Sequence, residues 1–147
     1  MFHILNISDG DKHRQTAINE YEKRLGKLVK IENIKPSRNG SNKQMIQKDT
    51  ENIISMIKKK YSDWNKVLLS KEGKNLNTDQ LANFFRNKNI VFVIGGPYGL
   101  DEVELKNHID EKISFGSITL PHGLAKLTLL EQIYRVQTIF NNKSYHY

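Results

Sequence analysis

Hydrophobic and polar positions along the chain switch repeatedly between two periods. Phe2 to Ile7 is largely apolar and reads as a strand, followed by the turn residues Asp9-Gly10-Asp11, of which Asp9 or Asp11 is placed to cap a helix. Ile18, Tyr21, Leu25 and Leu28 then recur at three- and four-residue steps and mark one helix face. Val29-Lys30-Ile31-Glu32 alternates as a strand does, and Pro36 to Asn42 is a polar loop of turn formers. A second helix fits Lys43 to Tyr61, with Ile46, Ile53, Ile57 and Tyr61 on one side. Val67-Leu68-Leu69 is a short apolar strand, and Asn77 or Thr78 can cap a helix carrying Leu81, Phe84 and Phe85. Ile90-Val91-Phe92-Val93-Ile94 has no polar position, which predicts a strand covered on both faces. A helix is expected over Asp101–His108, an extended or irregular segment over Phe115–Leu120, and a long helix over Gly123–Phe140.

Strands that alternate with helices predict an α/β fold, a parallel sheet flanked by helices on both sides. No repeat, low-complexity tract or linker divides the sequence, so residues 1–147 are expected to form one domain. The last helix is unusual. Leu124, Leu127, Leu129, Leu130, Ile133, Tyr134, Val136, Ile139 and Phe140 cover most of its circumference, which suits a helix that is fully buried or shared with a second copy of the chain.

Composition narrows the function classes. The 37% hydrophobic and 27% charged residues exclude a disordered or collagen-like chain, and no apolar run approaches the length of a membrane span. The first residues lack the basic and long apolar regions of a signal peptide. With no cysteine, disulfides, thiolate ligands and cysteine nucleophiles are impossible, and a reducing cytoplasm is the expected location. The net charge of +7 is uneven: residues 1–66 carry 14 Lys and Arg against 8 Asp and Glu, residues 67–147 carry 9 against 8. A basic half suits an acidic partner, nucleic acid first, or else a lysine-rich solvated surface.

In open α/β sheets ligands bind beyond the carboxyl ends of the strands. Two such ends are informative: Leu69-Ser70-Lys71-Glu72-Gly73-Lys74, and Gly95-Gly96-Pro97-Tyr98-Gly99. The second lets backbone approach a ligand closely, or forms only a tight turn. It has neither the G-x-G-x-x-G spacing nor a following G-K-[ST], and the next helix opens with Asp101-Glu102, which would repel phosphate. A ligand without phosphate fits better. His3, His13, His108, His122 and His146 form no i, i+4 pair, so no metal site is expected, and no G-x-S-x-G elbow supports a serine hydrolase.

Taken in order, Phe92-Val93-Ile94-Gly95-Gly96-Pro97-Tyr98-Gly99-Leu100, Thr119-Leu120-Pro121-His122, Leu130-Glu131-Gln132-Ile133-Tyr134-Arg135 and Tyr145-His146 resemble the SPOUT-class methyltransferases that modify a pseudouridine in large-subunit ribosomal RNA. Glu20-Tyr21-Glu22-Lys23-Arg24-Leu25 and Gly73-Lys74 are similar too, so the resemblance spans essentially the whole chain. It implies a C-terminal deep trefoil knot, which patterning cannot show, a homodimer with active sites at the interface, S-adenosylmethionine as donor, and N3 of a pseudouridine in a hairpin loop of 23S rRNA on the assembled ribosome as acceptor.

The resemblance also assigns residues. Leu69, Gly95, Phe115, Gly116, Ser117, Ile118, Thr119 and Leu120 match cofactor-binding positions. Tyr145 and His146 match the terminal pair that reaches the active site of the dimer, where relatives add a basic residue and this chain has Tyr147. His146 is the candidate base for the N3 proton, with Tyr145 positioning the ring. Arg135 would orient phosphate or stabilise charge on the base, or would merely pair with Glu131 four residues earlier. His122 has a substrate role or a structural one beside Pro121, and Lys126 is a candidate phosphate contact. Two other readings stay open: an RNA- or ribosome-binding protein of this fold without catalysis, and a SPOUT enzyme acting on another RNA.

Overall fold

The computed structural model describes residues 1–147. Its element order is β1 (Phe2–Ile7), α1 (Gln15–Leu25), β2 (Val29–Ile34), α2 (Asn42–Lys60), β3 (Asn65–Asn75), α3 (Thr78–Phe85), β4 (Ile90–Ile94), α4 (Glu102–Leu105), β5 (Glu111–Ser114) and α5 (His122–Phe140). Five strands form one sheet in the order β2-β1-β4-β3-β5, and every pairing is parallel.

The period of two along the strands divides the core. Phe2, Ile4, Ile90, Phe92 and Ile94 face a cluster that includes Ile18, Leu25, Leu81, Phe85, Leu129, Leu130, Ile133 and Val136 from α1, α3 and α5. Leu5, Ile7, Val91 and Val93 face the other way, onto Ile53, Ile54 and Ile57 of α2 and Leu105 of α4. All five residues of β4 are buried, which is why that segment carries no polar side chain. No helix is long and apolar enough to cross a membrane.

Helix ends follow local chemistry. Ser41 and Gln44 form a capping box at the start of α2, and Asn77 and Gln80 form another at α3. Neither Asp9 nor Asp11 is the cap of α1: Asp9 pairs with Arg38 at 2.6 Å, and Asp11 pairs with the Arg14 guanidinium at 2.7 Å while accepting from the Arg14 amide at 3.3 Å, one turn ahead of the helix. The helix stops at Leu25 because Gly26 takes a φ of 55°, and Leu28, expected on its apolar face, lies in a 3-10 turn and is exposed. The segment 101–108 is a single α-turn followed by a 3-10 turn, and Asp101 caps it by accepting from the Val103 and Glu104 amides.

Two strands differ from the expected pattern in ways that shape the molecule. The fifth strand, Glu111–Ser114, precedes the segment 115–120, which is irregular: β5 is an edge strand, so its charged first residues are tolerated. β3 runs on to Asn75 through an irregularity, pairing Leu69 and then Lys74 with the same residue, Ile113. Gly73 is required there, since a β-carbon would stand 2.6 Å from the Ile113 amide nitrogen.

Candidate active site

Three parallel strands, β4, β3 and β5, deliver their carboxyl ends to one side of the sheet, where a cleft of about 770 Å³ opens. Leu69-Ser70-Lys71 comes from β3, Gly95 to Gly99 follows β4, and Ile113 to Gly116 comes from β5. Ile118, Thr119, Leu120, Pro121 and His122 close the remaining side as the chain enters α5. The Gly-rich loop makes a tight turn in which the Gly99 amide donates to the Gly96 carbonyl at 3.0 Å, with Gly99 at a φ of 77°. The second loop turns at Gly116, φ 119°, held by Ser114: its hydroxyl donates to the Gly116 carbonyl at 2.6 Å and accepts from the Gly116 amide at 3.1 Å.

Seven of the eight residues that the sequence assigns to a cofactor meet in this cleft: Leu69, Gly95, Phe115, Gly116, Ile118, Thr119 and Leu120. Ser117 does not line it and is exposed. His122 joins the lining, its Nε2 3.3 Å from the Ser8 hydroxyl at the end of β1. The walls are largely apolar or glycine, Asp101 occupies the amides at the start of α4 behind the Gly-rich loop, and the uncapped start of α5 at His122 borders the cleft. That arrangement suits an aromatic ring held by apolar walls and backbone groups.

Lys126, expected to offer its charge to phosphate, is instead turned inward and is 5% exposed. Its Nζ donates to Asn33 Oδ1 at 3.2 Å, an oxygen that also accepts from Asn6 Nδ2 at 3.0 Å. Burial pushes its pKa below that of a free lysine, and the charges of Glu22 and Asp11 act the other way.

A second cluster gathers on the far part of α5. Arg135 is bound to Glu131 through Nε at 2.9 Å and Nη2 at 2.7 Å, so the pairing with Glu131 exists, but the guanidinium also lies over the Tyr145 ring at 4.7 Å. The Tyr145 hydroxyl donates to Glu131 at 3.2 Å and lies 3.3 Å from the Tyr21 hydroxyl. The hydrogen bond to Tyr21, then burial and the Glu131 charge, push its pKa well above that of a free tyrosine. His146 Nδ1 is 3.4 Å from Arg135 Nη1. Tyr145, His146 and Arg135 are thus together, held by Glu131, which the sequence offers as the partner of Arg135, and by Tyr21, which it offers only on a helix face and in a matching segment. Between His122 and this cluster α5 advances about 14–20 Å along its axis, so the cluster and the cleft stay apart within one chain.

An α/β protein with a small-molecule cleft at the strand carboxyl ends is the class that fold and site define. The family model described as "Predicted SPOUT methyltransferase" matches residues 2–146. Proteins named Ribosomal RNA large subunit methyltransferase H are similar over nearly the whole length. That of Pseudothermotoga lettingae is 38% identical, with 98% of this chain and 97% of the relative covered, and that of Thermodesulfovibrio yellowstonii is 33% identical, with 92% and 90% covered. The chain belongs to the SPOUT methyltransferase family, alongside the relatives that bear this name. A crystal structure from Bacillus anthracis, assigned as an RNA methyltransferase, shares the fold with a TM-score of 0.63 at 16% identity, covering 94% of this chain and 95% of that one.

Proposed function

We propose that this protein transfers a methyl group from S-adenosylmethionine to N3 of a pseudouridine in a hairpin loop of 23S rRNA, in the cytoplasm and on the assembled ribosome. In this reading it works as a homodimer whose C-terminal segment forms the family's deep trefoil knot. The observation that carries the reading is the convergence of Leu69, Gly95, Phe115, Gly116, Ile118, Thr119 and Leu120 on one cleft. The fit to the donor is chemical as well. The cleft volume is within the roughly 300–1,000 Å³ of small-molecule sites, and its largely apolar walls suit an adenosine.

S-adenosylmethionine, when bound, supplies a methyl already activated by its sulfonium. The residues of the chain then align the partners and manage one proton, and alignment alone supplies several kcal/mol. Leu69, Ile118 and Leu120 wall the adenosine. His146 takes the N3 proton, Tyr145 orients the ring, and Arg135 balances negative charge on base or phosphate. The separation of the tail cluster from its own chain's cleft supports a dimer in which Tyr145 and His146 serve the partner's cleft.

The test uses radiolabelled donor with free 23S rRNA, separated subunits and whole ribosomes, followed by mapping of the methyl group. The reading predicts one N3-methylated pseudouridine in the ribosome arm. Transfer to a different RNA or atom refutes the substrate assignment, and binding of ribosomes without transfer in any arm favours a non-catalytic protein.

A further inference from the structure

The register of β3 leaves a segment without strand partners. Pairing with β4 ends at Leu68, and pairing with β5 jumps from Leu69 to Lys74. Residues Ser70 to Gly73 therefore lie outside the ladder, yet Ser70 and Lys71 form one wall of the cleft. Their shape is held by side chains. The Ser70 hydroxyl donates to the Glu102 carboxylate, 2.9 Å from each oxygen, and accepts from the Glu72 amide at 3.1 Å. Lys112 Nζ braces the same carboxylate at 2.9 Å.

Glu102 lies outside the cleft lining but ties together elements that form it. It opens α4, which follows the Gly-rich loop; Ser70 belongs to the β3 wall; Lys112 belongs to β5, which runs into the Ser114–Gly116 turn. The carboxylate is about one-third exposed, with side-chain exposures of 34% for Glu102 and 33% for Lys112, so water screens the pair only in part. A charged acceptor shared by two donors holds its partners more firmly than a neutral one.

We propose that Glu102 is a positioning residue for the cofactor cleft, fixing the bulged Ser70–Gly73 segment so that Leu69 and Lys71 stand at the wall. The inference rests on the reading that this cleft takes S-adenosylmethionine. It assigns Glu102 no contact with the ligand: the carboxylate acts through Ser70 and is balanced by Lys112.

Calorimetry on the full chain with S-adenosylmethionine and with S-adenosylhomocysteine, which lacks the sulfonium charge, tests it. Glu102→Ala should weaken both ligands about tenfold, the scale of one lost charge-assisted hydrogen bond. Glu102→Gln, which keeps an acceptor for Ser70, should lose less. Ser70→Ala should match Glu102→Ala, and the double variant should be no weaker than either single one, because the two side chains act as one unit. Lys60→Ala, which breaks an exposed pair with Glu32, controls for general loss of surface charge and should leave both affinities unchanged. Thermal unfolding confirms that each variant is folded at the assay temperature. Glu102→Ala affinities within twofold of wild type overturn the proposal, as do additive losses in the double variant. Weakening of S-adenosylmethionine alone also overturns it, because the carboxylate would then be acting on the sulfonium charge directly. A wild-type chain that binds neither ligand removes the reading of the cleft, and the proposal with it.

Discussion

Gly73→Ala tests whether the close approach of β3 and β5 builds the cleft. A β-carbon at residue 73 would lie 2.6 Å from both the Ile113 nitrogen and the Lys112 carbonyl carbon, and 2.7 Å from the Ile113 carbonyl carbon. Ordinary contact begins near 3.4 Å, so one strand must retreat by about 0.8 Å. The obstacle is backbone on both sides, and Ile113 is 1% exposed within the larger core cluster, so no flexible side-chain end can yield. Forcing extra volume into such a place costs about 1–3 kcal/mol. Unfolding entropy of about 2.1 cal/mol/K per residue gives roughly 0.3 kcal/mol/K for a chain of this length, hence a Tm lower by about 3–10 °C. Thermal unfolding by circular dichroism measures this against Ser55→Ala on the exposed face of α2, which should change Tm by less than 1 °C. Calorimetric affinity for S-adenosylmethionine should fall as well, because Leu69 and Phe115 flank the displaced contact. A Gly73→Ala protein with wild-type Tm and wild-type affinity would refute the reasoning.

Other variants separate the parts of the site. His146→Ala should reduce turnover on ribosomes by a hundredfold or more, the scale of a lost general base, while cofactor affinity stays within twofold; unchanged turnover removes His146 from the mechanism. Phe92→Ala, at a fully buried position of β4, should destabilise by about 3–5 kcal/mol in urea unfolding, and a loss below 1 kcal/mol would contradict the packing described. Lys126→Met tests the buried ammonium through pH. Burial lowers the folded-state pKa below the unfolded value, so between the two the unfolded chain holds the extra proton and wild-type stability gains as pH rises. The cost of the charge is fully present below the folded pKa and is relieved as pH rises through it toward the unfolded value. The stability difference between Lys126→Met and wild type should therefore shrink as pH rises, and a pH-independent difference refutes the assignment.

The elements that local patterning defines were legible in the chain, and those set by distant partners were not. β1 and β4 fall where their apolar runs lie, because a strand buried on both faces must be apolar throughout. β5 was hidden because an edge strand can carry Glu111 and Lys112, whose charges meet Lys74 and Glu102 from elsewhere in the fold. The cleft announced itself through glycines after a buried strand. The inward turn of Lys126 depends on Asn33, Asp11 and Glu22, three residues from other elements that no spacing rule connects to it. The tail cluster depends likewise on Tyr21, 124 residues from Tyr145 in sequence. The Glu102 bridge could not be foreseen, since it arises only once β3 slips register against β5.

The strand order carries a consequence for synthesis. β1 leaves the ribosome before β2 and β4, but it lies between them and pairs Phe2 with Ile90. An emerging chain can form the β1–α1–β2 unit early, with one edge of β1 bare until β4 arrives. Contacts so far apart in sequence favour slow folding and leave that edge open to wrong partners in the interval. α5 then supplies Leu129, Leu130, Ile133 and Val136 to the core, so that part of the sheet's apolar face stays uncovered until α5 has emerged. Native packing of the sheet thus waits on α5 and not only on the pairing of its own strands.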